Sequence, residues 1–243
     1  MKVHVCKSTE AMGKAAAALF VACVEEKPNA VLGLATGSTP IPTYSEMAKA
    51  YEGGVVDFSG VTTFNLDEYV GLAPDHPQSY RYFMEENLFS KINIPKECTH
   101  VLSGLATDPE AECGAYEDMI DAAGGIDLQI LGLGNNGHIA FNEPAADFAA
   151  RTHTVELTES TIEANKRFFE SADEVPRKAY TMGIGSIMKA KKIVLRANGA
   201  AKADAVASMV EGPVTPTCPA SILQFHPNVV VLVDEAAAAK LSK

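Results

Sequence analysis

No run of apolar residues approaches the ~20 that a membrane-spanning helix requires, so no membrane partner is expected. The one targeting-like stretch, AAAALFVACV (15–24), would need an n-region containing Glu10. It reads better as a core helix, with Met12, Ala15, Ala16, Leu19 and Cys23 on one face. Basic residues are scarce: 20 Lys and Arg stand against 31 Asp and Glu, for a net charge of -11. That balance excludes nucleic acid as a partner, since no basic patch could offset it. A phosphorylated small molecule would need locally placed Lys and Arg. Cysteine is sparse as well. Cys6, Cys23, Cys98, Cys113 and Cys218 form no C-x-x-C pair, which fits free thiols in a reducing cytoplasm rather than a disulfide framework. The six histidines show neither H-x-x-x-H nor H-E-x-x-H spacing, so no metal centre is expected.

What is present suits one globular domain. The chain has 243 residues, 47% of them apolar, enough for a substantial core. Short apolar runs at 2–6, 31–35, 61–66, 99–102, 127–133, 180–184, 192–197 and 228–234 read as strands. Amphipathic segments near 8–26, 41–52, 78–89, 108–122, 158–170 and 200–211 alternate with them. Several strands are apolar almost end to end, as strands covered on both faces must be. The alternation predicts an α/β fold: a doubly wound, mostly parallel sheet with helices on both faces. No internal repeat or linker divides it.

Ligands of such folds bind beyond the carboxyl ends of the strands, so the segments following the strands carry the chemistry. TGSTP (36–40) follows the second strand. Ser38 or Thr39 can cap a helix there, with Pro40 in its first position. The same segment can instead cradle a phosphate with the N–H groups of Gly37, Ser38 and Thr39. Lys202, in the first turn of a helix starting near Gly199, favours the cradle. A cation there opposes the helix dipole, at a cost of ~0.3–1 kcal/mol unless an anion lies nearby. FNLDEYVG (64–71) ends a strand with Asp67 and Glu68. Successive side chains face opposite ways, so only one of the two can enter a given pocket, and the pattern does not choose which.

LGLGNNGHIAFNEP (131–144) contains G-x-G-x-x-G. A dinucleotide site needs a long helix directly after its third glycine, and Pro144 allows only a turn or two. The glycines instead let a tight loop pass close to a ligand and present His138, with Glu143 able to orient it.

Together TGSTP, NLDEYVGL, LGLGNNGHIAFNEP, ANKRFF and NGAAKA resemble the glucosamine-6-phosphate deaminase family, in order and spacing, over essentially the whole chain. The related 6-phosphogluconolactonases share the fold, of modified Rossmann-like type, and a Gly-His at this point, but typically not the Phe-Asn-Glu-Pro that follows. The resemblance implies conversion of glucosamine 6-phosphate and water to fructose 6-phosphate and ammonia, in amino-sugar catabolism, without a metal or organic cofactor. It makes Asp67 the base that moves the C2 proton towards C1, His138 the proton relay of ring opening, and Glu143 its partner. It assigns the phosphate to Gly37, Ser38, Thr39, Arg167 and Lys202, and a lid to about 157–177. Longer members carry Asp where this chain has Asn136, so a positioning role is expected of that residue. His153 and Val155 stand where allosteric members carry Arg and Lys, and the chain ends at Lys243. Both features are similar to short, unregulated forms and imply a monomer rather than a hexamer. The alternatives are a lactonase, separable by ammonia release, and a sugar-phosphate sensor, for which residues 1–30 leave no added helix-turn-helix. Galactosamine 6-phosphate differs only at C4, and no residue in the pattern fixes that contact.

Overall fold

A computed structural model describes residues 1–158, 162, 169 and 174–242. Seven strands form one sheet: β1 (Lys2–Cys6), β2 (Val31–Leu34), β3 (Thr62–Asn65), β5 (Thr99–His100), β6 (Leu128–Leu131), β9 (Ile193–Ala197) and β10 (Val229–Asp234). Their order is β1-β10-β9-β6-β2-β3-β5, and every neighbouring pair is parallel. The central strands are buried along their whole length, which is why their sequences are continuous apolar runs and do not alternate. From β2 the chain winds first towards β3 and β5, and later resumes on the other side of β2 with β6. The sheet therefore reverses direction between β2 and β6, where the loops diverge and leave a crevice.

The helices arise from local signals. In α1 (Thr9–Glu26), the Ser8 hydroxyl caps the N-terminus by accepting from Ala11 N–H at 3.1 Å. Its buried stripe runs through Met12, Ala16, Phe20 and Val24. Ala15, Leu19 and Cys23, expected on the core face, are only partly buried. The helix is turned because Gly13 sits against Pro42 of α2 (Ile41–Glu52), where a Cβ would come within 2.7 Å of the proline ring. In α4 (Pro109–Ala122), Asp108 caps two N–H groups and Pro109 opens the first turn, as its fixed φ favours. Among the described residues the further α-helices are α3 (Tyr80–Asn87), α5 (Ile184–Met188) and α6 (Ala203–Glu211).

Two expectations need correction. The run at 180–184 does not extend the parallel sheet. Its first residues belong to β8 (Lys178–Thr181), which pairs antiparallel with β4 (Asp67–Tyr69) and β7 (His153–Glu156) in a second sheet. Gly183 and Gly185 then pack against the backbone of Arg151 and Ala150, and the chain turns into α5. Nor does Ser38 or Thr39 cap α2: Pro40 is the cap residue, in a helical conformation, and no side chain bonds to the helix end. Because Pro40 already turns like a helix, the hydroxyls before it lie one step outside capping position.

The two sheets meet at Leu66. Its N–H donates to Leu34 O of the large sheet at 3.0 Å, and its carbonyl accepts from Met182 N–H at 2.7 Å. Asp67 follows immediately. A small aromatic and aliphatic cluster of Tyr69, Phe141, Leu157, Ile162, Val175 and Ala179 covers the second sheet. Among the described residues, no helix is long and apolar enough to cross a membrane.

Candidate active site

A cavity of about 530 Å³ opens at the carboxyl ends of β2, β3, β6 and β9. It is lined by Gly37 and Thr39 after β2, Asp67 after β3, Asn136, His138 and Glu143 after β6, and Lys202 after β9. Loops separated by more than a hundred residues thus converge on one space. Ser38 is exposed on the rim and does not line the cavity. Arg167, and the stretches 159–161, 163–168 and 170–173 of the expected lid, lie outside the described residues.

The strand-end acids divide as the pleat requires. Asp67 is 7% exposed and faces the cavity, with the Thr36 hydroxyl 3.4 Å from Oδ1. Burial, and then the charge of neighbouring Glu68, push its carboxyl up to about 7; the Thr36 contact works against them. Glu68 points the other way. It accepts from Tyr69 N–H at 2.8 Å, Tyr80 N–H at 2.9 Å and Arg81 N–H at 3.0 Å, so its carboxylate sits on the positive end of α3. Only Asp67 can meet a ligand in the cavity.

The loop after β6 contains no helix after Gly137, so it lacks the element a pyrophosphate would use. Instead it folds on itself, with Gly134 N–H donating to His138 O at 2.9 Å. A Cβ on Gly134 would stand 2.3 Å from Cε1 of His138; glycine is required there because the imidazole lies directly over it. Ala140 has φ +50°, the one positive value at a described residue other than glycine, and such strain persists where surroundings enforce it. Here Phe141 N–H donates to Thr181 Oγ1, and the Asn142 amide donates to Ile139 O and Met182 O. The loop is thereby tied to the second sheet.

His138 Nδ1 lies 3.3 Å from Glu143 Oε1, within ion-pair reach but not aligned as a hydrogen bond. Asn136 joins the pair. Its Nδ2 donates to Glu143 Oε2 at 2.6 Å, and its Oδ1 accepts the His138 backbone N–H at 3.2 Å.

On the opposite wall, Lys202 ends a 3-10 turn (Ala200–Lys202) that leads into α6. Gly199 N–H is held by both carboxylate oxygens of Asp234 at 3.0 Å, which fixes the start of that turn. Burial lowers the lysine's proton affinity. The wall therefore offers a cation and the backbone of Gly37 and Thr39, as an anion requires. Among the described residues, no group of three or more His, Cys, Asp or Glu side chains is placed to hold a metal ion.

Residues 7–232 match the family described as glucosamine-6-phosphate isomerases/6-phosphogluconolactonase. The chain belongs to this isomerase/lactonase family. The glucosamine-6-phosphate deaminase of Clostridioides difficile (strain 630) is 58% identical over 100% of this chain and 97% of its own. That of Thermoanaerobacter pseudethanolicus (strain ATCC 33223 / 39E) is 57% identical, over 98% and 94%. Among solved structures, a monomeric glucosamine-6-phosphate deaminase superposes with a TM-score of 0.96 at 44% identity, over 99% of this chain and 100% of that one. The 6-phosphogluconolactonase of Trypanosoma brucei, at 19% identity and a TM-score of 0.80, shares the fold. The isomerase/lactonase scaffold is thus the doubly wound sheet expected from the strand and helix pattern.

Within this family scaffold, three cavity features were not evident from sequence. Thr36 touches the buried carboxylate. Tyr80 lines the cavity and stacks on Phe141, with ring centroids 6.2 Å apart. Glu68 tunes Asp67 from behind. The last two depend on α3 folding back over β4, where Tyr80 and Arg81 N–H groups meet the Glu68 carboxylate, a contact no local pattern announces. The amphipathic segment expected near 78–89 contains this helix, capped by Ser79, but its packing over β4 was not part of that expectation.

Proposed function

We propose that the protein converts glucosamine 6-phosphate and water to fructose 6-phosphate and ammonia. One observation carries the proposal: a buried carboxylate, an imidazole paired with a second carboxylate, and an anion-binding wall share a cavity sized for a six-carbon phosphate. The identity to named deaminases over nearly full length supports it.

The chemistry assigns the roles. A cyclic aldose cannot isomerise, so His138 moves a proton between the ring oxygen and the C1 hydroxyl, with Glu143 and Asn136 holding its orientation. In the open chain, C2 carries the amine and one acidified hydrogen. Asp67 removes that proton and returns it to C1, while the C1 oxygen gains a proton and the amine nitrogen gives one up, so that C1 becomes CH2OH and a C2=N bond remains. Water adds at C2, ammonia departs, and the C2 ketone of fructose 6-phosphate remains. Gly37, Thr39, Lys202 and Arg167 hold the phosphate, which takes no part in bond making; Ser38, outside the cavity lining, does not belong to this set. Its contacts orient C1 and C2 instead. We assign the segment at about 157–177 the role of a lid over this cavity. Tyr69 and Phe141, which contact its described residues, would be the surface it closes on.

The protein is inferred to act as a monomer, in line with the monomeric deaminase it resembles. Five unpaired thiols suit the reducing cytoplasm. The deciding measurement is coupled ammonia release from glucosamine 6-phosphate and from galactosamine 6-phosphate, with D67N as control. Ammonia from the first sugar, abolished by D67N, supports the assignment. Hydrolysis of 6-phosphogluconolactone without ammonia release from either sugar refutes it.

A further inference from the structure

Strand β9 reads IVLRA, and all five residues are buried. Arg196 is 0% exposed in the middle of the core. Its Nη1 donates to Thr39 O at 2.6 Å and to Thr43 Oγ1 at 2.7 Å, and Nη2 donates to Thr9 O at 3.2 Å. Nε has no partner. Every acceptor is neutral, and among the described residues no carboxylate contacts the guanidinium. A buried guanidinium normally carries a paired anion, because hydrogen bonds to neutral oxygens satisfy its donors but not its charge.

We propose that Arg196 is a positioning residue for the substrate's phosphate. Its unbalanced charge, lodged behind the 36–40 loop, attracts the anion through the wall that Thr39 presents to the cavity. The inference rests on the phosphate being held at that wall, as assigned above. Burial lowers Arg196 only to about 10, so it is charged at neutral pH. Its two ionisable neighbours do not neutralise it: the Tyr44 hydroxyl and Cys6 thiol are both raised, chiefly by burial. Salt screens a charge in the core poorly, so the attraction persists where surface lysines would lose theirs. Lys202 is the one cation among the described residues lining the cavity. A dianionic phosphate therefore has one described contact cation and a second positive charge held in reserve behind the loop.

A merely structural clamp between α1, α2 and β9 would make the same hydrogen bonds, so the test varies charge while keeping shape. T43D places a carboxylate against the guanidinium and keeps an acceptor there; T43N keeps the acceptor without the charge. For these variants, R196Q, R196K and the unaltered protein, KM and kcat for glucosamine 6-phosphate are measured, with the Ki of inorganic phosphate. T43D and R196Q are expected to raise both KM and Ki about tenfold, with kcat held within about twofold and T43D no less heat-stable than T43N. T43N is expected to match the unaltered protein, and R196K to retain most of the phosphate affinity. Folded T43D or R196Q with unchanged Ki overturns the inference, as does T43N weakening phosphate as much as T43D. If phosphate fails to compete in the unaltered protein, the assignment of the wall falls, and this inference with it. If phosphate competes and neither neutralising variant alters Ki, only the role of Arg196 falls.

Discussion

The side-chain amide of Asn136 spans the two halves of the proton-moving pair. It gives 2.6 Å to Glu143 Oε2 and takes the backbone N–H of His138 at 3.2 Å. An asparagine cannot ionise, so its effect is geometric: it fixes where the carboxylate lies relative to the imidazole. N136A removes both bonds and is expected to lower kcat about tenfold, on the scale of one or two lost hydrogen bonds. The Ki of inorganic phosphate should stay unchanged. Steady-state rates with the pyranose substrate check this; an undiminished kcat refutes the positioning role.

Asp67 links activity to stability with opposite signs. Its carboxyl titrates near 7 in the folded protein against an ordinary value of 3.8. Between those pH values the folded chain keeps a proton that the unfolded chain has released. The group's favourable contribution is thus present below about pH 4 and lost as pH rises through about 7, up to roughly 4 kcal/mol. D67N never bears the charge. It is expected to unfold at a higher temperature than the unaltered protein at pH 8 and at the same temperature near pH 4. Ammonia release should fall about a thousandfold. Thermal scans at the two pH values are the check.

Glu68 gives a pH signature of its own. Its negative charge is the second cause, after burial, of the high proton affinity of Asp67. A base must be ionised to act, so kcat/KM should rise with pH through about 7. In E68Q the acid limb of that profile should shift to lower pH. The amide keeps one acceptor for the start of α3 and loses the other, which costs about 1–2 kcal/mol of stability. A limb that stays in place refutes the coupling.

Gly134 tests the geometry of the histidine directly. An added methyl group would sit within 2.4 Å of Nδ1 and Nε2, so the ring must move. G134A is expected to lose about a hundredfold in kcat, as displacements near an ångström can cause. Far-ultraviolet circular dichroism should be unchanged. Retained activity would mean that the imidazole position is not critical.

The strand and helix alternation was legible because buried parallel strands must be apolar throughout, and that signal is local. The loops after β2 and β6 were legible because glycine, hydroxyl and histidine residues collect there. The second sheet was not. β4 has three residues and β7 alternates half-buried with exposed positions, so neither offers a strand-length apolar run, and their pairing is set by distant contacts. The local strand pattern did not separate Asp67 from Glu68, which the family resemblance alone did; the structural reason is that α3 claims the second carboxylate. The capping expectation at Ser38 and Thr39 failed because Pro40 adopts helical dihedrals itself. Arg196 left a trace, one charge in an apolar strand, but its meaning depended on three acceptors from elsewhere in the chain.

Leu66 gives its amide to one sheet and its carbonyl to the other. Any hinging between those layers must first break one of the two bonds, and the acid next in line travels with whichever layer keeps its hold. The seam makes the reactive edge of the molecule stiff by construction. Deuterium uptake at the Met182 amide, the far side of that seam, therefore reports on how tightly the layers are clasped around a bound sugar.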